Sequence, residues 1–228
     1  MDSEKNWLNV PAPDNWMTGW DNYHKKLLEA PDETLNELMF ITPPVQVVGT
    51  KLFGREKGLR ALELACGDGR YACFLAKMGC KVEAIDALQS AVDVTIKRAK
   101  ILGLNDSIKV EKKNIDGWDF EPESYDIIVA TQCLQYLFER AIPRIKEIAN
   151  AIKPGGFFAY SGNIPPHFET DPPMKFIYEE EFREIFKGWT FHSVGKDERL
   201  LRQNDLRGYL WIVVEKPKEE EETPTEKL

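Results

Sequence analysis

Apolar positions in this chain change period along its length, and the changes mark out the elements. Trp16, Trp20, Tyr23, Leu27 and Leu28 recur at helical spacing behind Asp14-Asn15, which predicts a capped helix near the N-terminus. Val45, Val48 and Leu52 predict another helix from Thr42-Pro43, with Pro43 in a first turn that tolerates its missing N–H. From residue 59 onward short apolar runs alternate with amphipathic stretches. Residues 61–64, 81–85, 108–112, 125–130 and 157–160 read as strands. Between them, helices are predicted from Arg70, along Val92, Ile96 and Ala99 up to Gly103, and along Ile145, Ile148 and Ile152 behind Pro143. Residues 179–187 predict one more, with Phe182, Ile185 and Phe186 inward and Gly188 as its stop. Residues 189–196 and 208–216 then read as strands with no helix-length segment between them, so they pair as an antiparallel hairpin. The expected fold is α/β: a mostly parallel, doubly wound sheet with a C-terminal antiparallel hairpin and an N-terminal helical cap. The expected divisions are a cap or lid over residues 1–58, a core over 59–216 and an acidic, disordered tail over 217–228.

Composition narrows the function classes. With 228 residues and 43% hydrophobic content, one globular domain is expected. No apolar run approaches the ~20 residues that span a bilayer. The polar, acidic start Met1-Asp2-Ser3-Glu4 is unlike a secretory leader, so a cytoplasmic location is expected, with no membrane partner. Cys66, Cys73, Cys80 and Cys133 lack CxxC spacing and read as small buried residues in a reducing compartment, not as metal ligands. A net charge of −8 speaks against a nucleic-acid surface. A monomer or homodimer is expected.

The candidate chemistry lies where the first core strand ends. Ala61-Leu62-Glu63-Leu64 runs into Ala65-Cys66-Gly67-Asp68-Gly69, and a helix opens at Arg70. Small residues at such a junction let a ligand lie on bare backbone at a helix N-terminus. The second strand ends at Asp86-Ala87, and an acid at that tip suits the vicinal hydroxyls of a ribose. Two nucleoside cofactors fit. Gly67-Asp68-Gly69-Arg70-Tyr71-Ala72 satisfies a dinucleotide fingerprint, which predicts an NAD(P)-dependent oxidoreductase. S-adenosylmethionine is the other. Glu63 favours it, because an acid there repels a pyrophosphate but suits the ammonium of a methionine moiety. Alanine at position 65 argues against a left-handed backbone there.

The stretch from Leu62 to Gly69 resembles motif I of the class I S-adenosylmethionine-dependent methyltransferases, with Ala65 in place of that family's first glycine. Asn114-Ile115, Tyr125-Asp126 and Lys153-Pro154-Gly155-Gly156 follow in the family's order, and the region from Asn114 to Gly156 is similar to the tellurite-resistance group. The Trp16-x-x-x-Trp20 spacing is similar to the thiopurine methyltransferases. The resemblance implies a Rossmann-like fold and S-adenosylmethionine held by Glu63, Ala65, Cys66, Gly67, Gly69, Asp86, Ala87, Asn114, Ile115 and Thr131. At the Asn114-Ile115 station it implies a polar contact to the adenine amino group and an apolar one to its ring. It further implies in-line methyl transfer to a small S-, N-, O- or metalloid nucleophile. The acceptor side falls to Gln132, Gln135, Tyr136 and His167, under a lid carrying Trp16, Trp20 and Tyr23. No residue is singled out as catalytic. His24 and His192 read as surface or helix-face residues. A third reading is an inactive nucleoside-binding scaffold subunit.

Overall fold

The structure is a computed structural model, and it describes residues 16–38, 40–167, 174–202 and 205–218. One sheet holds β1 (Arg60–Leu64), β2 (Lys81–Asp86), β3 (Ile108–Lys112), β4 (Tyr125–Thr131), β5 (Ile152–Ile164), β6 (Thr190–Arg202) and β7 (Asp205–Glu215). The strand order is β3-β2-β1-β4-β5-β7-β6. The first five strands run parallel, and β7 lies antiparallel between β5 and β6. Strand β1 bonds to β2 on one side and β4 on the other. The chain thus winds outward from β1 in one direction and resumes beside it in the other, which opens a crevice at the carboxyl ends of these strands.

The helices are α1 (Trp16–Glu29), α2 (Asp32–Asn36), α3 (Pro43–Leu52), α4 (Arg70–Lys77), α5 (Gln89–Ile101), α6 (Ala141–Ala151) and α7 (Glu179–Ile185). Alternate residues of β5 divide between the two faces, as the period of a strand requires. Phe158 and Tyr160 pack with Ile145 and Ile148 of α6 and Phe182 of α7. Phe157 and Ala159 pack with Val45 and Val48 of α3 and Leu75 of α4. Leu27 of α1, Leu35 of α2 and Val94 of α5 make a third, smaller cluster.

Three expectations about elements need correction. Ile96 is exposed, because α5 turns Thr95 and Arg98 inward to hold the loop after β1. Ile152 leaves α6 and opens β5, where it pairs with Tyr125. The terminal hairpin is longer than the apolar pattern indicates, since charged residues 197–199 continue the pairing with residues 207–209. Asp14-Asn15, the proposed cap of α1, and residues 219–228 of the acidic tail lie outside the described residues. No described helix is long and apolar enough to cross a membrane.

Candidate functional site

Between β1 and α4 the backbone turns left-handed at every second residue. Ala65, Gly67 and Gly69 have φ of 53°, 55° and 74°. Ala65 therefore overturns the expectation of an ordinary backbone there. Its small side chain accepts a conformation that costs an L-residue roughly 1–2 kcal/mol. Gly69 has no room for a side chain: a Cβ would stand 2.9 Å from the Cα of Thr95. The turn is tied from behind by α5, where Thr95 donates to the Gly67 carbonyl (3.2 Å) and Arg98 to the Asp68 carbonyl (2.7 Å).

Two carboxylates occupy the start of α4. Buried Glu63, 1% exposed, accepts from the Ala72 N–H at 2.7 Å. Asp68 accepts from the Arg70 N–H at 3.2 Å and pairs with the guanidinium groups of Arg70 (2.6 Å) and Arg98 (3.2 Å). Burial pushes the Glu63 carboxyl well above the usual carboxylate range. Burial acts the same way on Asp68, but Arg70 and Arg98 outweigh it and hold that carboxyl low. A pyrophosphate at this helix N-terminus would find its donors taken by two internal acids. The dinucleotide reading fails on that geometry.

Asp86, 7% exposed, closes the other side of the turn. Its carboxylate accepts from the N–H of Gly67 (3.0 Å) and of Leu88 (2.9 Å). Cys66 is buried, and Ala87 is half-buried beside Asp86. Beyond β3, Asn114 is exposed, and its side chain accepts from the Asp116 N–H (3.0 Å), capping the short 3-10 turn Ile115–Gly117. Ile115 is buried under that turn.

Residues 61–156 match the family described as a methyltransferase domain. This stretch runs from β1 through the glycine turn into the first residues of β5. Over this stretch the chain resembles the class I S-adenosylmethionine-dependent methyltransferases. The chain is similar to the probable S-adenosyl-L-methionine-dependent methyltransferase TehB of Haemophilus influenzae, with 25% identity over 65% of this chain and 52% of that one. It is similar to the ubiquinone biosynthesis O-methyltransferase of Methylocella silvestris, with 30% identity over 44% of this chain and 38% of that one. The chain thus spans about half or less of the length of these curated relatives. In fold it resembles the magnesium protoporphyrin IX methyltransferase ChlM of Synechocystis PCC 6803, crystallised with bound S-adenosylmethionine. That likeness has a TM-score of 0.60 and 14% identity, over 93% of this chain and 90% of that one.

S-adenosylmethionine is the cofactor of this family. The left-handed turn without bulky side chains, the Asp86 carboxylate and buried Glu63 fit its amino-acid and ribose groups. On the acceptor side, Thr131 and Gln132 follow β4. The Gln132 N–H donates to the Ser161 carbonyl (2.7 Å). Fully buried Gln135 donates to Gln132 Oε1 (3.2 Å) and Asn163 Oδ1 (3.1 Å). Tyr136 is half-buried. His167 is exposed, with its ring 4.7 Å from that of Phe176.

Helix α1 reaches the turn from above. Trp20 and Tyr23 are half-buried and meet edge to face at 5.9 Å, whereas the Trp16 side chain lies outside the described residues. His24 is not a surface residue, as its sequence context suggested, but a buried one. It is 4% exposed, and its Nε2 lies 3.6 Å from the point where a Cβ on Gly67 would stand. The signal was available: His24 follows Trp20 by four residues and so shares its helix face. His192 is not a free surface residue either. It lies half-buried on β6, with Nε2 2.6 Å from Glu215. The four cysteines are buried and free, as expected.

Proposed function

We propose that the chain transfers a methyl group from S-adenosylmethionine to a small-molecule acceptor. The observation that carries the reading is the turn Ala65–Gly69 held between Asp86 and Glu63 at an α4 N-terminus closed to phosphate. The cofactor brings an activated methyl group. The protein's part is to align donor and acceptor and to keep water out. Asp86 is assigned to the ribose hydroxyls, where its remaining lone pairs can accept. Glu63 is assigned to the methionine ammonium and Ile115 to the adenine ring. Ala65, Cys66, Gly67, Gly69 and Ala87 offer backbone, and Asn114 is assigned to the adenine amino group. Thr131 stands at the end of β4 between donor and acceptor.

Gln132, Gln135 and Tyr136 are assigned to the acceptor, with His167 at its entrance. The Methylocella silvestris relative, named for O-methyl transfer in ubiquinone biosynthesis, supports a small acceptor. The amide side chains at the ends of β4 and β5 support an acceptor that forms hydrogen bonds. We assign residues 16–58 to a lid and residues 59–216 to the catalytic core. A cytoplasmic setting completes the reading, supported by four buried thiols without a disulfide.

The test is product formation. Purified protein with S-adenosylmethionine is screened by mass spectrometry against neutral phenols, thiols, amines and metalloid oxyanions. The reading expects a methylated product from one class, with S-adenosylhomocysteine in equal amount. S-adenosylmethionine binding with no turnover in any class would favour a scaffold subunit.

A further inference from the structure

His24 is the one residue reaching the glycine turn from α1 whose burial and bonding do not match. It is 4% exposed, yet its Nδ1 is buried with no hydrogen-bond partner among the described residues. A buried polar atom left in that state costs free energy unless a ligand completes it. The ring is held in place. It stacks on Trp20 at 6.3 Å and 23°, and meets the Tyr23 ring at 5.3 Å. Asp21, one turn earlier, is tied to Ser90 of α5 at 2.6 Å, which fixes this half of the helix over the loop.

We infer that His24 binds the carboxylate of the cofactor's amino-acid moiety, so that α1 contributes directly to the cofactor site. This rests on the S-adenosylmethionine reading above. The turn is lined by Glu63, Asp68 and Asp86, and a ligand carboxylate entering among them needs a cationic or donating partner. Arg70 and Arg98 are already committed to Asp68. His24 has an unspent Nδ1, and its Nε2 is the nitrogen that faces Gly67 and can donate to a ligand carboxylate there.

Asp21, Asp68 and Asp86 surround the imidazole and favour its charged form, Tyr23 lies beside it, and Arg70 and Arg98 offset Asp68. Burial nevertheless holds the His24 pKa below the usual histidine value, so the free protein carries it neutral at neutral pH. A carboxylate brought against the ring tips that balance. The imidazole takes a proton from solvent and becomes imidazolium, with no other bond made or broken.

Calorimetry with S-adenosylhomocysteine, in buffers of low and high ionisation enthalpy near neutral pH, counts that proton. Wild-type protein is expected to take up a substantial fraction of one proton per ligand bound. His24→Phe keeps the ring packing but not the nitrogens. It should lose the uptake and bind S-adenosylhomocysteine at least about tenfold more weakly, ~1.4 kcal/mol. Adenosine lacks the amino-acid moiety, so it should bind the variant and the wild type alike. Proton exchange that is the same in the wild type and in His24→Phe overturns the inference, since any proton released by Glu63 on meeting the ligand ammonium is common to both. So does a variant with full affinity, or one that loses adenosine as much as S-adenosylhomocysteine. If the wild type binds neither ligand, the cofactor reading itself fails.

Discussion

Three side chains at the glycine turn carry opposed demands. Ala65 holds a left-handed backbone with a Cβ in place. Ala65→Gly should remove that strain and raise stability by up to ~1 kcal/mol after the entropy cost of glycine, measured by urea unfolding. Glu63, assigned above to the methionine ammonium, is buried at a cost to the fold. Its folded pKa lies above its unfolded value, so the native state binds more protons in that window. Stability then falls as pH rises from the unfolded pKa toward the folded one. Glu63→Gln keeps an acceptor for the Ala72 N–H and drops the charge. It should melt higher than wild type at neutral and alkaline pH, lose that advantage toward pH 4.5, and bind cofactor more weakly. Melting curves that run parallel across this range would contradict the assignment. Asp86→Ala should weaken cofactor binding by about 2–3 kcal/mol, the loss of charge-assisted bonds to a ribose. A strand-tip acid reads as dispensable for folding in the sequence, but Asp86 also accepts from Gly67 and Leu88. The variant should therefore lose about 1–3 kcal/mol of stability as well, and Asp86→Asn less of both.

Helix α1 divides into two halves with different work. Leu27 packs with Leu35 and Val94, and Lys97 bonds to the Leu28 and Ala30 carbonyls, so the C-terminal half is anchored on α2 and α5. His24 leans over the turn instead, with Trp20 stacked on its ring. Leu27→Ala should cost about 2–5 kcal/mol of stability and leave cofactor affinity nearly unchanged. Trp20→Ala should do the reverse. Hydrogen exchange with and without cofactor should slow amides of residues 17–24 more than those of residues 25–29. Equal protection along the helix would make α1 a single structural element. The helical spacing of Trp16, Trp20, Tyr23 and Leu27 made this helix legible in the sequence, but not its division. That depends on which residues of α5 lie beneath it. The same helix explains why Ile96 misled: α5 buries Thr95 and Arg98 to bond the turn, and an apolar-periodicity argument assigns polar residues outward.

Across the whole molecule, the alternation of apolar runs with amphipathic stretches was enough to place five parallel strands and the closing antiparallel pair. Those features depend on local period and on the lengths between elements, both of which are linear in sequence. The crevice between β1 and β4 follows from that order, and the acids at Glu63 and Asp86 follow from their places on two strands. What stayed hidden joins distant segments. Arg98 bonds both the Asp68 carbonyl and the Glu37 carbonyl (2.9 Å), tying the N-terminal segment to the turn, and no motif announces such a residue. The central claim is that this turn is built for the amino-acid and ribose groups of a methyl donor and closed to a pyrophosphate. Side-by-side calorimetric titration with S-adenosylhomocysteine and with NAD tests it most directly. The account predicts micromolar binding of the first and none of the second; tight NAD binding without S-adenosylhomocysteine binding would contradict it.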